Sequence, residues 1–473
     1  MSGLRAALGR VPVTLWIEST VGYWAEQRLG VREMRRRLRA AFEGWFEQGG
    51  GGDDVVWAHN VGLGRNFILA QELVRVCEAR GLRCLLHHHD WWFDNRWQRW
   101  PELRRCAGSL IAAARGLLPA RTRLMHVGIN REDVAVLQTG FGDRAAWLPN
   151  SVQLARVPSH SRNRAVRRWV AGRTDPKRPG PIWLLPCRFL RRKNVAEAIL
   201  LTRWLRPEAW LVTTGAPSSA AERPACERLA NAARAGGWRV RLGILADAPG
   251  GAPGVLELMA ASEALCFTSL LEGFGLPYLE AAAAGRPLLA RSLPNAVPDL
   301  MRLGFRFPTL YRDVLVASEL FNRRAEVRRQ EALYRVWRME LPPRYRPWAG
   351  RPCLLDQTAD EPVPFSRLTL TAQLEVLACP AEVSWGACLS LNPWLAGWRK
   401  PAAAGELPPV PWPPAAVARV SGLAYGRNFK RILGRVAHAP VPPAAAAEET
   451  QDTFVRQRLN SAHLFPLLWS PTT

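Results

Sequence analysis

The chain has 473 residues, of which 48% are hydrophobic and 22% are charged. This mix is ordinary for globular proteins, so it excludes a disordered chain, a collagen-like fibre and a small disulfide-stapled domain. The 64 Lys and Arg residues outnumber the 40 Asp and Glu residues, but only four of those cations are Lys. An Arg excess beside abundant Ala, Gly and Pro reflects GC-rich coding, so no specific nucleic-acid partner is expected.

The nine cysteines are scattered and form no C-x-x-C pair. This spacing predicts neither a zinc ribbon nor a thioredoxin-type motif, and free thiols are typical of a reducing compartment. The N-terminus carries no cleavable apolar region, and no run reaches the ~18 apolar residues of a membrane span. We therefore expect a cytoplasmic protein. The excess positive charge leaves open a peripheral contact with the anionic inner face of a membrane.

Strands and helices alternate along roughly the first 150 residues. Helices are predicted at 31–47 and 66–80, strands at 54–58 and 83–87, an apolar run at 11–18, and short strand-like or turn-bounded pieces at 124–127, 134–137 and 146–149. This alternation is typical of a parallel α/β sheet.

An Arg- and Pro-containing stretch at 159–181 is the best candidate for a linker, and the alternation then starts again. Strands are predicted at 182–186, 210–214, 239–242, 264–267 and 287–290, and helices at 194–205, 220–235, 255–261 and 277–284. The pattern indicates a second α/β domain in tandem with the first.

The pattern changes after about residue 309. Helices are predicted at 313–341, 367–378, 417–437 and 452–465, separated by Pro-rich stretches at 342–364 and 401–414. We divide the chain into residues 1–175, residues 176–310 and a helical, Pro-rich extension at 311–473.

The most informative motif is the string EGFGLPYLEAAAAGRP at residues 272–287, directly after a predicted strand. A strand that ends in a Gly-containing loop and leads into a helix presents free backbone N–H groups near Phe274, Gly275 and Leu276. Such groups cradle anions and suit a diphosphate. Glu272 and Glu280 bracket this cradle, where two carboxylates can bind hydroxyl groups of a sugar and of a ribose.

This string resembles the Glu-x7-Glu motif of retaining GT-B glycosyltransferases, of the glycosyltransferase family 4 (group 1) type. The resemblance extends over roughly residues 145–300. It includes Arg188 and Lys193 in RFLRRKN, the segments 211–215 and 241–247, and the junction Pro149-Asn150-Ser151-Val152. It implies an α/β fold of GT-B type, with two Rossmann-like domains facing a central cleft and a helical C-terminal extension. Part of that extension, either 417–437 or 452–465, would cross back to the N-terminal domain.

The resemblance also implies residue roles in the second, nucleotide-sugar domain. Arg188 and Lys193 would neutralise the donor diphosphate together with Gly273, Phe274, Gly275 and Leu276. Glu272 would hold sugar hydroxyls and Glu280 the ribose. Cationic and N–H groups are suited to this task because negative charge builds on the leaving diphosphate as the glycosidic bond breaks.

The first domain matches more loosely, as acceptor domains do. The histidines at 87–89 and Asp90 follow a predicted strand, at the edge where α/β sheets place ligands. His89, with Asp90, is the best match to the histidine that faces the reacting sugar, and His88 is the alternative. A buried core histidine is the competing interpretation. No metal site is predicted, because successive strand residues point to opposite faces and three in a row cannot easily ligate one ion.

Other parts of the first domain give weaker signals. Gly22 could line the acceptor cleft, and so could Asn60, Arg65 and Asn66 of the loop at 59–66. An ordinary capped helix start explains that loop equally well. The aromatic run at 91–100 could stack on sugar rings, although large aromatic residues are more often core.

The sequence therefore predicts a metal-independent retaining glycosyltransferase with catalytic residues His89, Asp90 and Glu272. It would move a hexose from a UDP- or GDP-sugar to a hydroxyl on a glycan, a lipid-linked acceptor or a small molecule. No cofactor is expected, and no Asp-x-Asp motif stands at a strand end to hold a metal-bridged diphosphate. Two alternatives remain: a GT-B nucleotide-sugar epimerase, and a basic nucleic-acid or membrane-surface binding protein with an inactive fold of this type.

Overall fold

The computed structural model describes residues 14, 16–47, 54–152, 158–358, 360–436 and 438–469. The predicted apolar run at 11–18 lies partly outside this set, and its described residue Ile17 is exposed. Within the described residues, no helix is both long enough and apolar enough to cross a bilayer.

The first sheet has four parallel strands in chain order. They are β1 (Val55–His59), β2 (Arg83–His88), β3 (Leu124–Gly128) and β4 (Ala145–Trp147). The helices beside them are α1 (Val31–Glu47), α2 (Phe67–Ala79), α3 (Trp100–Ala107), α4 (Leu110–Leu117) and α5 (Arg131–Phe141). The strand-like interpretation of 134–137 is wrong, because this segment lies inside α5. Asn130 caps that helix, accepting the Asp133 N–H at 2.8 Å.

The second sheet has six strands in the order β10-β9-β8-β5-β6-β7, and all paired neighbours are parallel. The strands are β5 (Ile182–Phe189), β6 (Trp210–Pro217), β7 (Val240–Arg241), β8 (Ala264–Phe267), β9 (Leu288–Arg291) and β10 (Leu310–Tyr311). This is the strand order of a doubly wound nucleotide-binding sheet, whose direction of winding reverses between β5 and β8. Ligands bind at the carboxyl ends of the strands that flank such a reversal.

The predicted linker at 159–181 is wrong over most of its length, because His160–Ala171 forms helix α6. Val166 and Val170 are buried in the core that covers one face of the second sheet. The arginines of this segment occupy the other face of the helix, where Arg162 forms an ion pair with Glu257 at 2.6 Å. The many arginines made this amphipathic helix read as a polar linker in the sequence.

The remaining helices of the second sheet are α7 (Val195–Leu205), α8 (Arg223–Ala235), α9 (Val255–Ala261), α10 (Leu276–Ala283) and α11 (Val297–Arg302). Helix α7 is buried almost all around, which explains its nearly continuous apolar sequence. It lies between the sheet and helices from the C-terminal region, so this region is part of the second core.

The C-terminal region contains helices α12 (Arg323–Glu340), α13 (Cys353–Asp356), α14 (Leu370–Ala378), α15 (Ala381–Leu389), α16 (Pro393–Ala404), α17 (Pro414–Arg419), α18 (Gly422–Arg435) and α19 (Ala446–Arg458). A short antiparallel pair joins β11 (Leu315–Val316) and β12 (Val363–Pro364). Both α18 and α19 return to the first domain: α18 packs on the sheet through Ile432, and α19 packs on α4 and α5 with Phe454 in the same core. The predicted fold class, two Rossmann-like α/β domains facing a cleft with a helical C-terminal extension, is confirmed.

Candidate active site in the cleft between the two sheets

A cavity of about 560 Å³ lies between the carboxyl ends of the two sheets. The first sheet's loops contribute His89 and Asp90 to its wall, the loop after β8 contributes Glu272 and Gly273, and α19 contributes Arg458. The three residues predicted to be catalytic therefore line one cavity, although 182 positions in the sequence separate Asp90 from Glu272.

Glu272 forms the centre of a compact charge cluster. Its carboxylate is paired with Lys193, and its other oxygen lies 2.9 Å from Nη1 of Arg192. Burial raises the pKa of Glu272, but the two cations lower it more, so the net effect is a lowered pKa and an ionised carboxylate. Nδ2 of Asn295 donates a hydrogen bond to the backbone carbonyl of Glu272 at 2.5 Å. The loop after β5 and the loop after β8 are thus joined by charge at the reversal point of the sheet.

Gly273 lies where the two halves of the protein approach each other in the cleft. A Cβ atom at this position would lie 2.8 Å from the backbone oxygen of His89 and 2.8 Å from Cδ1 of Ile129. Its carbonyl also accepts a hydrogen bond from Nδ2 of Asn130 at 3.1 Å. Only a residue without a side chain allows this approach, which gives Gly273 a steric role in addition to the predicted one.

The turn at 273–276, where the sequence predicts an anion cradle, leads directly into α10. Gly275 is the N-cap of α10 and has a φ of +80°, a conformation that favours glycine. No side chain among the described residues caps this helix. Pro277 has no N–H and the Tyr278 N–H donates to the carbonyl of Gly275 at 3.1 Å, so of the first three helical residues only Leu276 has an N–H without a partner in the described part of the chain. Phe274 is buried beneath the turn, and Leu276 is 38% exposed.

Arg188 and Lys193 lie at the same edge of the sheet but have different surroundings. Arg188 pairs in register with Gly215, whose missing side chain leaves room for it, since a Cβ there would be 2.7 Å from Cγ of Arg188. Among the described residues, the side chain of Arg188 has no hydrogen-bond or ion-pair partner, and it does not line the cavity. Lys193 is committed to Glu272. Arg192, which the sequence did not single out, lines the cavity instead.

Glu280 is half-buried on α10. Burial raises the pKa of its carboxyl group, and the positive charge of Lys193 opposes part of that rise. Within the described part of the chain no donor is bonded to this carboxylate. Unlike Glu272, Glu280 is not among the residues that line the cavity.

The histidines after β2 separate into two environments. His88 is in the core, with Nε2 3.0 Å from Nδ1 of His126 and its ring stacked on Trp91. His89 is half-buried and lines the cavity. The side chain of Asn60 holds the turn that follows, since its Oδ1 accepts the Asp90 N–H at 2.9 Å. Asn60 thus acts on the cleft through Asp90 and does not itself line the cavity.

The other residues suggested for the acceptor cleft lie away from the cavity. Asn66 caps α2 and donates to the carbonyls of Thr20 and Gly22 at 2.9 and 2.8 Å. Arg65 stacks over the Tyr23 ring at 4.2 Å. The aromatic run at 91–100 does not present surfaces for sugar stacking, because its tryptophans are buried in the first core.

His59 lies close to His87 and His89, on the side of the first sheet opposite to His88. His59 ends β1 and pairs in register with His87, and one ring nitrogen each of His59, His87 and His89 lies within 4.8 Å of the others. Burial, and the proximity of the other rings, lower the pKa of His87 to about 3. Burial also lowers the pKa values of His59 and His89. The rings are therefore neutral, the form that can bind a metal ion.

Two buried arginines organise the cavity wall and could not be recognised from the sequence. Arg291 is bonded to Glu197 at 2.6 Å and to Asp313 at 2.6 Å. Arg458 reaches Asp94 at 2.9 Å and Asp133 at 2.6 Å, tying α19 to the first sheet's loops. In a chain with sixty arginines no local signal distinguishes these two.

Comparison with known proteins finds a family match that covers most of the second sheet. Residues 175–306 match the model of the family described as glycosyl transferases group 1, and this segment contains both the 188–193 and the 272–280 stretches. Mannosylglucosyl-3-phosphoglycerate synthase of Petrotoga mobilis is 27% identical over 251 residues, which cover 50% of this chain and 46% of that protein. The chain thus spans less than half the length of this curated relative.

Two solved structures show weaker similarity. HepE of Anabaena, in complex with UDP and glucose, is 16% identical with a TM-score of 0.39 over 57% of this chain and 65% of its own. The α,α-trehalose 6-phosphate synthase of Burkholderia multivorans is 13% identical with a TM-score of 0.44 over 86% and 77% of the two chains.

Proposed function

We propose that the protein is a retaining glycosyltransferase that moves a hexose from a UDP- or GDP-sugar to a hydroxyl acceptor. The observation that carries the proposal is the position of the Glu272–Leu276 turn at the reversal point of the second sheet, directly across the cleft from His89 and Asp90. The match of residues 175–306 to the group 1 family supports it. So does a relative whose name describes a synthase of a mannosylglucosyl compound.

In the proposed reaction, Arg188, Lys193 and the N–H groups of residues 274–276 stabilise the departing diphosphate. No metal ion is required at the diphosphate, because these groups supply the positive charge. Glu272 holds sugar hydroxyls, Glu280 holds the ribose and His89 orients the sugar. The acceptor hydroxyl attacks from the face that the diphosphate leaves, so the anomeric configuration is retained.

The ion pair between Lys193 and Glu272 adds a step to this scheme. A diphosphate that binds Lys193 competes with Glu272 for the same ammonium group. Binding would release the carboxylate, which could then accept hydrogen bonds from the sugar. Donor binding and sugar recognition are coupled through one charge pair in this proposal.

We also propose the domain roles that the sequence implies. Residues 1–175 bind the acceptor, residues 176–310 bind the nucleotide sugar, and part of 311–473 returns to the first domain. Closure of the cleft would exclude water, which would otherwise hydrolyse the donor. The nine free cysteines favour a reducing, cytoplasmic location, where nucleotide sugars are the expected partners.

The test is a binding screen by isothermal titration against UDP, GDP and ADP, alone and as sugar conjugates. Lys193→Ala should weaken binding of the preferred nucleoside diphosphate about tenfold or more, because a charge-assisted bond contributes roughly 1.5–3 kcal/mol. Lys177→Ala is the matched control, since Lys177 is exposed in the loop that precedes β5, at the opposite edge of the sheet.

Glu272→Ala separates binding from transfer. It should bind the free nucleoside diphosphate at least as tightly as the natural chain, because two cations are released, and it should lose sugar transfer. Absence of any nucleoside diphosphate binding, or equal affinity in Lys193→Ala, would refute the proposal. Conversion of the nucleotide sugar to an epimer without transfer would instead identify an isomerase.

A further inference from the structure

The carboxyl end of the first sheet brings together three imidazole rings. His59 and His87 are register partners on β1 and β2, and His89 lies two residues beyond His87, directly after the end of β2. One ring nitrogen of each residue lies within 4.8 Å of the other two, and Nδ1 of His59 is 3.2 Å from Nε2 of His89. Alternation along the strand sends His88 to the opposite side, into the core.

We propose that His59, His87 and His89 bind one divalent transition-metal ion, with Zn²⁺ the best fit. Imidazole nitrogens are preferred ligands of this ion, and three protein ligands with a fourth position left to solvent make a complete tetrahedral shell. Zn–N bonds of ~2.05 Å at the tetrahedral angle place ligand nitrogens roughly 3.4 Å apart. The observed His59–His89 separation of 3.2 Å is close to this value.

His87 supplies the second, independent observation. The residue is only 1% exposed, and its Nε2 lies 3.3 Å from the carbonyl oxygen of Leu148. A carbonyl can only accept, so Nε2 carries the hydrogen and Nδ1 carries the lone pair. Among the described residues Nδ1 of His87 has no hydrogen-bond partner. A histidine held by a carbonyl on one nitrogen and unpartnered on the other is the usual arrangement of a metal ligand.

A hydrogen bond between His59 and His89, without a metal ion, does not account for the position of His87. It would satisfy one nitrogen of each ring but leave the buried Nδ1 of His87 unpartnered, at a cost of roughly 1–3 kcal/mol. The neutral rings do not repel a cation, and the neighbouring Asp90 adds negative charge near His89. His59 is exposed, which gives an ion access from solvent.

A metal at this place would fix the turn that carries His89 and Asp90, in addition to the hydrogen bonds that their backbone N–H groups donate to Oδ1 of Asn60. It would act on Nε2 of His89 and leave the backbone carbonyl that faces Gly273 unchanged. The ion would not take part in binding the diphosphate, since its ligands all belong to the first sheet and the loop that follows it. The inference therefore does not depend on the proposed sugar transfer.

The experiment uses the full chain without a polyhistidine tag, stripped with a chelator and titrated with Co²⁺ and then Zn²⁺. We expect one Co²⁺ per chain with visible absorption bands, without sulfur-to-cobalt charge transfer, and displacement by Zn²⁺. His59→Gln and His89→Gln should each weaken Co²⁺ binding by about tenfold or more. His160→Gln, at an exposed position on α6, is the matched control and should bind as the natural chain does.

Two results would overturn the proposal: no stoichiometric binding of either ion, or binding that is equal in His59→Gln, His89→Gln and the control. Sulfur-to-cobalt bands would place the ion at cysteines and also overturn it. Thermal unfolding of the metal-free proteins shows whether each variant is folded, and the exposed position of His59 makes His59→Gln the decisive one.

Discussion

Replacing Arg458 with Met would remove the guanidinium that Asp94, Glu132 and Asp133 share at the cavity wall. The guanidinium lies 2.9 Å from Asp94, 2.6 Å from Asp133 and 3.5 Å from Glu132. Its side chain is 11% exposed and that of Asp133 is 8% exposed. Loss of one partner from a buried ion pair costs roughly 3–5 kcal/mol, because an uncompensated charge remains. We expect the free energy of unfolding at pH 7 to fall by that amount.

The loss should depend on pH in a defined direction. Burial already raises the pKa of Asp94 above its ordinary value, and the charge of Arg458 opposes that rise. Without Arg458 the folded-state pKa rises further above the unfolded value. A carboxyl of this kind destabilises the folded state as pH rises through its folded pKa, and it has no such effect when protonated in both states. The deficit should therefore be small near pH 4 and grow toward pH 7.

Urea unfolding followed by tryptophan fluorescence at several pH values measures this deficit. Arg427→Met is the matched control, because Arg427 is exposed on α18 and, within the described residues, has no ion-pair partner. Its effect should stay within about 0.5 kcal/mol. A deficit for Arg458→Met that is below about 1 kcal/mol at pH 7, or that is the same at pH 4 and pH 7, would refute the reasoning.

Three further predictions concern the cleft and its support. Gly273→Ala should reduce sugar transfer roughly tenfold, because the added Cβ would lie 2.8 Å from the opposite backbone oxygen and push the two halves apart. Asn60→Gly keeps the left-handed backbone at φ +61° but removes the side chain, so hydrogen exchange of the Asp90 amide should accelerate about fivefold. Tyr311→Phe removes a buried hydroxyl that donates to a carboxylate at 2.6 Å, and the free energy of unfolding should fall by roughly 1.5–3 kcal/mol.

Each of these predictions is checked by a matched control variant, by a contradicting outcome or by both. Gly434→Ala adds a methyl group in open space and should leave transfer unchanged, so an equal loss in both variants would remove the steric explanation. Unaltered exchange at Asp90 in mass-spectrometric measurements would show that Asn60 does not hold the turn. Tyr334→Phe removes a half-buried hydroxyl bonded to a carbonyl at 3.1 Å and should cost about 1 kcal/mol or less in urea unfolding.

Regular elements were predictable from the sequence because their signals are local. The helix at Val31–Glu47 and the strands of the second sheet follow apolar periodicity, and the structure confirms them. The Glu272–Glu280 string was equally local, since a strand end, a glycine turn and a helix start lie within a few residues. Where local signals conflicted, the prediction was wrong. The arginines of His160–Ala171 indicated a linker, although its valines are buried in a helix.

Tertiary structure alone decided which side chains meet. Three sets of contacts join residues that are far apart in the chain. Lys193 pairs with Glu272, Arg458 contacts three carboxylates, and His59 lies beside His87 and His89. Periodicity shows which face of an element is buried, but not which other face it meets. That information resides in the strand order and in the return of the last helices to the first sheet, both of which depend on packing summed over the whole molecule.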